Sequence, residues 1–138
     1  MTATLLMLAS AVIVFGLGVL HLTYTFFGPK LTPRDEALQT RMTEVSPVIS
    51  KGTTMWNCWV GFNASHSIAA LLFGVIYGFL ALAHGSLLFS SPFLLGAGVT
   101  TVAAFFVLSI TYWFRTPSIC IGISLACFVA SIIASMPW

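Results

Sequence analysis

The sequence has very little charge. Its 138 residues include five Lys or Arg and three Asp or Glu, 6% of the chain. An average soluble domain is about 25% charged and about 45–50% apolar, whereas this chain is 59% hydrophobic with a mean hydropathy of +1.05. This composition excludes a water-soluble globule, a disordered segment and a basic nucleic-acid-binding protein. It predicts an integral membrane protein in contact with the lipid bilayer.

Three further absences narrow the chemistry. The three cysteines form no Cys-x-x-Cys pair, which argues against a thiol–disulfide enzyme and against covalently attached haem. Asp and Glu occur only within residues 35–44, so a carboxylate proton relay inside the membrane is not expected. No Lys or Arg precedes the first apolar run, which is also longer than a signal-peptide core, so we interpret it as a retained helix. We predict neither catalytic residues nor a dedicated metal site.

Four apolar segments are long enough to cross the hydrocarbon core, which takes about 20 helical residues. The runs are continuous and do not alternate with period two, which excludes the strands of a membrane barrel. We predict one transmembrane domain over residues 1–138, an all-α four-helix bundle whose single long loop covers residues 28–54. The predicted helices are 3–27, 55–83, 92–114 and 117–136.

Proline and glycine mark several predicted helix ends. Ser91-Pro92 and Thr116-Pro117 each predict a hydroxyl cap followed by proline at the first helical position. His84-Gly85 predicts a glycine stop after the second transmembrane helix.

The long loop contains a helical pattern of its own. Thr32-Pro33-Arg34-Asp35 predicts a helix start with Thr32 as the cap, and Leu38, Met42 and Val45 then share one face. We predict a short amphipathic helix lying at the membrane surface and ending near Ser46-Pro47. A solvated loop is the alternative.

The basic residues predict the orientation. Seven of the eight charges lie in residues 30–51 and the eighth is Arg115, whereas the connection around residues 84–91 has none. The positive-inside rule therefore places the first and third connections in the cytoplasm and both termini outside it. We predict a multi-pass protein of the bacterial inner membrane. Acids alternate with these bases, so we expect no polybasic lipid-binding cluster.

Small residues recur every four positions along two of the predicted helices. Apolar helices gain little by touching in lipid, so their association depends on close backbone approach and on interhelical hydrogen bonds. We predict that these stripes hold the bundle together or join copies of the chain, or other subunits, into an oligomer; both possibilities stay open. The stripes are Ser118, Gly122, Ala126, Ala130 and Ala134, and Ala70, Gly74 and Gly78.

Polar residues are concentrated near His21 on the first helix and His66 on the second. Trp59, Asn63 and His66 share one helical face, which continues into the small residues that follow. Counting helical rise from the cytoplasmic ends places both histidines at similar depth. We predict that they face the protein interior. The candidate site residues are His21, Tyr24, Asn63, His66 and Ser67.

Three interpretations of this cluster compete. The first is a structural hydrogen-bond network, since neutral imidazoles each supply one donor and one acceptor. The second is axial ligation of haem b or a metal by His21 and His66. The third is a pocket for a lipid-like molecule such as a quinone, with His66 or Tyr24 bonding its oxygen.

The stretch Thr53-Thr54-Met55-Trp56, followed by residues 59–67 (WVGFNASHS), resembles a small family of bacterial four-helix membrane proteins of unknown function. His21 and the Pro33-Arg34-Asp35 turn fit the same pattern. The resemblance implies the four-helix fold and a role for Asn63 and His66, and it implies nothing about a substrate. We therefore expect a small accessory or scaffold protein within an oligomer or larger membrane complex. The alternative is a haem- or quinone-binding redox protein.

Overall fold

A computed structural model describes residues 1–136, and over that range the chain is helical with no strand. The last two residues of the predicted domain lie outside the described residues. Four helices are long and apolar enough to cross a membrane, as predicted, and their bounds agree with the predicted ones to within two residues. The helices are α1 (Thr2–Phe26), α2 (Glu36–Glu44), α3 (Met55–Ala83), α4 (Gly85–Ser90), α5 (Pro92–Tyr112) and α6 (Arg115–Ser135).

The chain divides into two compact units. One contains Met1–Leu17 and the described residues from Ala70 onward, and the other is Gly18–Ala69. The boundaries fall inside α1 and α3. The candidate site residues all belong to the second unit.

Aromatic packing organises the core of the first unit. The ring of Tyr77 stacks on Phe73 at a centroid distance of 4.6 Å and meets the edge of Phe128 at 5.4 Å. Its hydroxyl donates to the carbonyl of Leu94 at 2.7 Å. Gly98 makes room for this cluster, because a Cβ there would meet the Phe128 ring and lie 2.7 Å from the Tyr77 ring.

Buried serines join α1 to α6 in the same unit. The hydroxyl of Ser124 donates to the carbonyl of Ser10 at 3.0 Å and accepts from the Ser10 hydroxyl at 2.8 Å. Ser131 donates to the carbonyl of Ala3 at 2.9 Å. Interhelical bonds of this kind are specific where apolar contact is not, because lipid competes for the apolar contact but offers no partner to a hydroxyl.

The small-residue stripes contribute unequally to packing. Gly74 in α3 lies against α1, where a Cβ would be 2.9 Å from the carbonyl oxygen of Ala11. In α6, Ser118 donates to the carbonyl of Ser109 at 2.9 Å, but Ala126 and Ala134 are exposed. The buried residues of α6 are instead Ile121, Ser124, Phe128 and Ser131.

Of the three helix ends predicted from proline and glycine, one is confirmed and two differ in the residue that caps the helix. Ser91 caps α5 as predicted, since its side chain accepts from the Leu94 N–H. Thr116 does not cap α6, which begins at Arg115. Pro117 is tolerated as its third residue because first-turn N–H groups have no partner within a helix. Gly85 does not act as the glycine cap that ends α3, because it is the first residue of α4.

The ends around the long loop also differ from the prediction. Asp35, not Thr32, caps α2, and its carboxylate accepts the Ala37 N–H at 2.9 Å. A carboxylate at this position also interacts favourably with the helix dipole, whereas the Thr32 hydroxyl donates to the carbonyl of Pro29. The glycine that stops a helix is Gly28, two residues after α1, at φ 82°. A left-handed conformation there suits glycine.

Candidate functional site

The centre of the candidate site is Asn63, which is 5% exposed. Its Oδ1 lies 2.9 Å from Nε2 of His21, and its Nδ2 donates to the carbonyl of Trp59 at 2.7 Å. With the amide in this orientation Oδ1 accepts, so Nε2 of His21 must be the protonated ring nitrogen. Ser67 donates to the carbonyl of Asn63 at 2.8 Å. This set of bonds joins the end of α1 to the first turns of α3.

The two imidazoles lie against each other. The ring centroids of His21 and His66 are 5.4 Å apart, with the planes at 73°. The ring of Phe62 stacks on the ring of His66, with the centroids 6.3 Å apart and the planes at 16°. Both histidines are half-buried, whereas Asn63 and Ser67 are buried. The buried part of the site is therefore the amide and the hydroxyl, and the imidazoles form its partly open side.

Tyr24 lies apart from this network. Its ring faces the Lys30 ammonium, which is 5.2 Å from the ring centroid, the geometry of a cation–π contact. The hydrogen bonds and ring contact described above join His21, Asn63, His66 and Ser67, whereas the contact of Tyr24 is with Lys30. The structure thus brings together four of the five predicted site residues.

An apolar groove lies beside Trp59, and the sequence did not predict it. The indole Nε1 donates to the carbonyl of Leu31 at 2.8 Å, and the Met55 N–H donates to the carbonyl of Val45 at 2.8 Å. These bonds connect both parts of the loop to the start of α3. The groove has a volume of about 300 Å³, and its walls are Leu31, Thr32, Pro33, Leu38, Met42 and Trp59.

Two signals in the sequence could have indicated this groove. Trp59 lies four residues before Asn63 on the same helical face, although a tryptophan near a helix end is usually interpreted as a membrane anchor. Leu38 and Met42 are spaced i, i+4 and so present one apolar face. The hydrogen bond from the Trp59 indole to the Leu31 carbonyl is visible only in the structure, and with it Trp59, Leu38 and Met42 are found to line the same groove.

The interactions that the structure shows at this site are hydrogen bonds and ring contacts. Within residues 1–136, no group of three or more His, Cys, Asp or Glu is placed to hold a metal ion. Over the same part of the chain, every buried side-chain nitrogen and oxygen has a hydrogen-bond partner. The network can therefore fix helix register without any ligand.

Comparison with protein-family models, curated proteins and solved structures finds no match to this chain. The family resemblance suggested by the motif in α3 therefore stays a hypothesis.

Proposed function

We propose that the chain is a small integral membrane accessory or scaffold protein in which the network around Asn63 is structural. In this view His21, Asn63 and Ser67 hold α1 and α3 in one register, so that the chain presents a constant surface to other subunits or copies. A residue that only positions helices needs its polar groups satisfied by the protein itself.

The observation that supports this proposal is that both polar atoms of the Asn63 side chain are hydrogen-bonded within the protein. The amide accepts from one helix and donates to the carbonyl of its own helix at 2.9 and 2.7 Å, and both distances are those of ordinary strong hydrogen bonds. A ligand would have to compete with these bonds inside a low-dielectric environment, where breaking them costs more than in water.

The location that we propose is the bacterial inner membrane, with the loop that contains α2 in the cytoplasm and α2 lying at the surface. The distribution of Lys and Arg supports this orientation. The four long apolar helices support four crossings. An even number of crossings would put both termini on the same side.

A haem held by both histidines does not fit this geometry. Metal–imidazole bonds are about 2 Å long, so an iron between two imidazoles separates their ring centroids by roughly 6–6.5 Å. The observed separation is 5.4 Å, with the rings edge to face, which leaves no space for a macrocycle between them. Nε2 of His21 is also bonded to Asn63, so an iron at this nitrogen would have to replace that hydrogen bond.

The alternative function is quinone binding at His66. It is supported by the partial exposure of this ring and by its stacking with Phe62, which is 66% exposed. A quinone oxygen needs one donor at the edge of an apolar surface, not the space between two imidazoles.

Replacement of Asn63 tests the structural role. We expect Asn63→Leu, which keeps the branched shape of the side chain but removes the amide, to lower the free energy of unfolding in bilayer discs by about 0.6–2 kcal/mol, the range for one interhelical hydrogen bond in a membrane. The matched control is Asn57→Leu on the exposed face of the same helix. Equal stability of the two variants would contradict the proposal.

The same preparation in bilayer discs distinguishes quinone binding from a purely structural role. A short-chain ubiquinone analogue is added to the wild-type protein, and the midpoint of thermal unfolding is followed. A structural network predicts no saturable shift. A saturable rise in the midpoint that is lost in His66→Phe would favour quinone binding and overturn the purely structural role.

A further inference from the structure

Residues 46–54 form a closed loop between α2 and α3. Val45 before the loop and Met55 after it are joined by the bond of 2.8 Å from the Met55 N–H to the Val45 carbonyl. Inside the loop, the Ser50 N–H donates to the carbonyl of Pro47 at 3.2 Å. A compact loop whose ends meet is held in shape by its own residues. The loop therefore has a defined base and a defined tip.

Val48 and Ile49 form the tip of this loop. They are the two central residues of the turn that the bond from Ser50 to Pro47 closes, and both are fully exposed. Turns favour Gly, Pro, Asn, Asp and Ser at such positions, whereas Val and Ile are enriched in strands. The turn itself therefore does not explain two branched aliphatic residues, and a local conflict of this kind is typical of a functional position.

The base of the loop lies at the start of a candidate membrane span. α3 has 29 residues, a length of about 43 Å at the helical rise, which matches a bilayer of about 40–45 Å including its headgroup layers. In a chain that crosses a bilayer, Met55 therefore lies at the level of the headgroups. Three residues lead from Val45 to Val48, a reach of at most about 11 Å. The tip is thus close enough to enter the headgroup layer.

The composition of the loop suits a lipid surface. Residues 46–54 (SPVISKGTT) contain no acid, and their one charged residue is Lys51. The nearest acid in the sequence is Glu44, which pairs with Arg41 at 3.2 Å. A loop without acids is not repelled by anionic headgroups, and apolar residues next to a lysine are typical of segments that enter the membrane interface.

The small size of the tip argues for lipid and against a protein partner as its occupant. An aromatic side chain buries about 150–250 Å², so the smaller side chains of Val48 and Ile49 offer less than about 400 Å² together. A stable protein interface takes about 800 Å² from each partner. Insertion into a lipid surface has no such minimum, because its strength scales with the apolar area that enters.

We propose that this loop inserts Val48 and Ile49 into the headgroup layer of the adjacent leaflet, to the depth where the acyl chains begin. The loop is then an interfacial contact in addition to the apolar helices. It fixes the depth of the start of α3 in the bilayer, because the bond from Met55 to Val45 connects that start to the base of the loop. The proposal goes beyond the accessory role and does not depend on the Asn63 network.

Fluorescence quenching of a probe at the tip tests this insertion. The full chain, with its three native cysteines replaced by serine, carries an environment-sensitive fluorophore at Ile49→Cys in phosphatidylcholine discs with one chain per disc. We expect blue-shifted emission, quenching by a spin label at the headgroup end of the acyl chains, and little quenching from water. The matched control is Thr40→Cys on the exposed side of α2, which should be quenched from water. Equal quenching of both probes from water, or a protected tip that the lipid spin label does not quench, would overturn the proposal.

A second reporter tests the two side chains themselves. With the fluorophore at Ser50→Cys, the tip keeps both aliphatic residues, and Val48→Ser with Ile49→Ser should shift the emission to the red and increase quenching from water. Leu87→Ser removes an exposed aliphatic residue from α4 and should leave the emission unchanged. Helical content measured by circular dichroism shows that the variants are folded. Unchanged emission and quenching in the double variant would show that these side chains do not hold the tip in lipid, and would refute the proposal.

Discussion

Two glycines in α5 have opposite surroundings although they are two residues apart. A Cβ at Gly98 would meet the rings of Phe128 and Tyr77, whereas a Cβ at Gly96 would meet nothing within 4 Å. Both aromatic rings are buried and packed against further side chains, so they have little space to move away. The backbone at Gly98 is thus a surface on which the core of this unit packs.

We expect Gly98→Ala to destabilise the protein by about 1–3 kcal/mol, the usual cost of overpacking a well-packed core. Gly96→Ala is the matched control and should be neutral or slightly stabilising, because alanine is the better helix former. Thermal unfolding in detergent measures both. A stable Gly98→Ala variant would mean that Tyr77 and Phe128 do not pack on this glycine.

At the level of residues, the sequence predicted which polar groups cluster but not how they bond. Helical spacing places Asn63 and His66 on one face, and depth places His21 opposite them. Periodicity cannot show that Asn63 is the buried centre, or that the imidazoles remain half-buried. Nor can it show that Tyr24 faces Lys30, because this depends on the path of the chain after Gly28.

At the level of elements, the long helices were predictable because apolar runs of this length have one stable form in lipid. Helix ends were less predictable, because several residues near each end can cap it. Asp35 outcompetes Thr32 as a cap, and Pro117 fits inside the first turn of α6 rather than before it. The short α4 was not predicted, since six residues give too little periodicity to detect.

The buried face of α6 shows the limit of stripe arguments. Spacing by four residues selects Ala126 and its neighbours, but the structure buries the face containing Ser124 and Ser131, which bond to α1. Close backbone approach and hydrogen bonding are alternative ways to join helices in lipid. Composition alone does not decide which of them a helix uses.

The exposed part of the α6 stripe leads to a prediction about assembly. If copies of the chain associate as proposed, Ala126→Leu should lower the oligomer population in native mass spectrometry, because the larger side chain separates two closely packed backbones. Ala104→Leu is the matched control on an exposed position of α5. An unchanged oligomer in Ala126→Leu would show that this stripe faces lipid.

For the whole molecule, composition predicted the class of protein, and the basic residues predict its orientation. An odd number of crossings between two positions puts them on opposite sides of the bilayer. The loop helix α2 precedes α3, and the short α4 follows it. If α3 crosses the membrane, α2 and α4 must lie on opposite sides. The positive-inside rule predicts that α2 is on the cytoplasmic side, because residues 30–51 contain four of the five Lys and Arg.

Cysteine labelling measures this orientation. With the three native cysteines replaced by serine, Thr40→Cys in α2 should react with a membrane-impermeant maleimide only in inside-out vesicles. Ser86→Cys in α4 should react only in right-side-out vesicles, and both positions are exposed. Reaction of both cysteines from the same side would mean that α3 does not cross the bilayer, and the reverse pattern would place the Lys- and Arg-rich loop outside, against the charge rule.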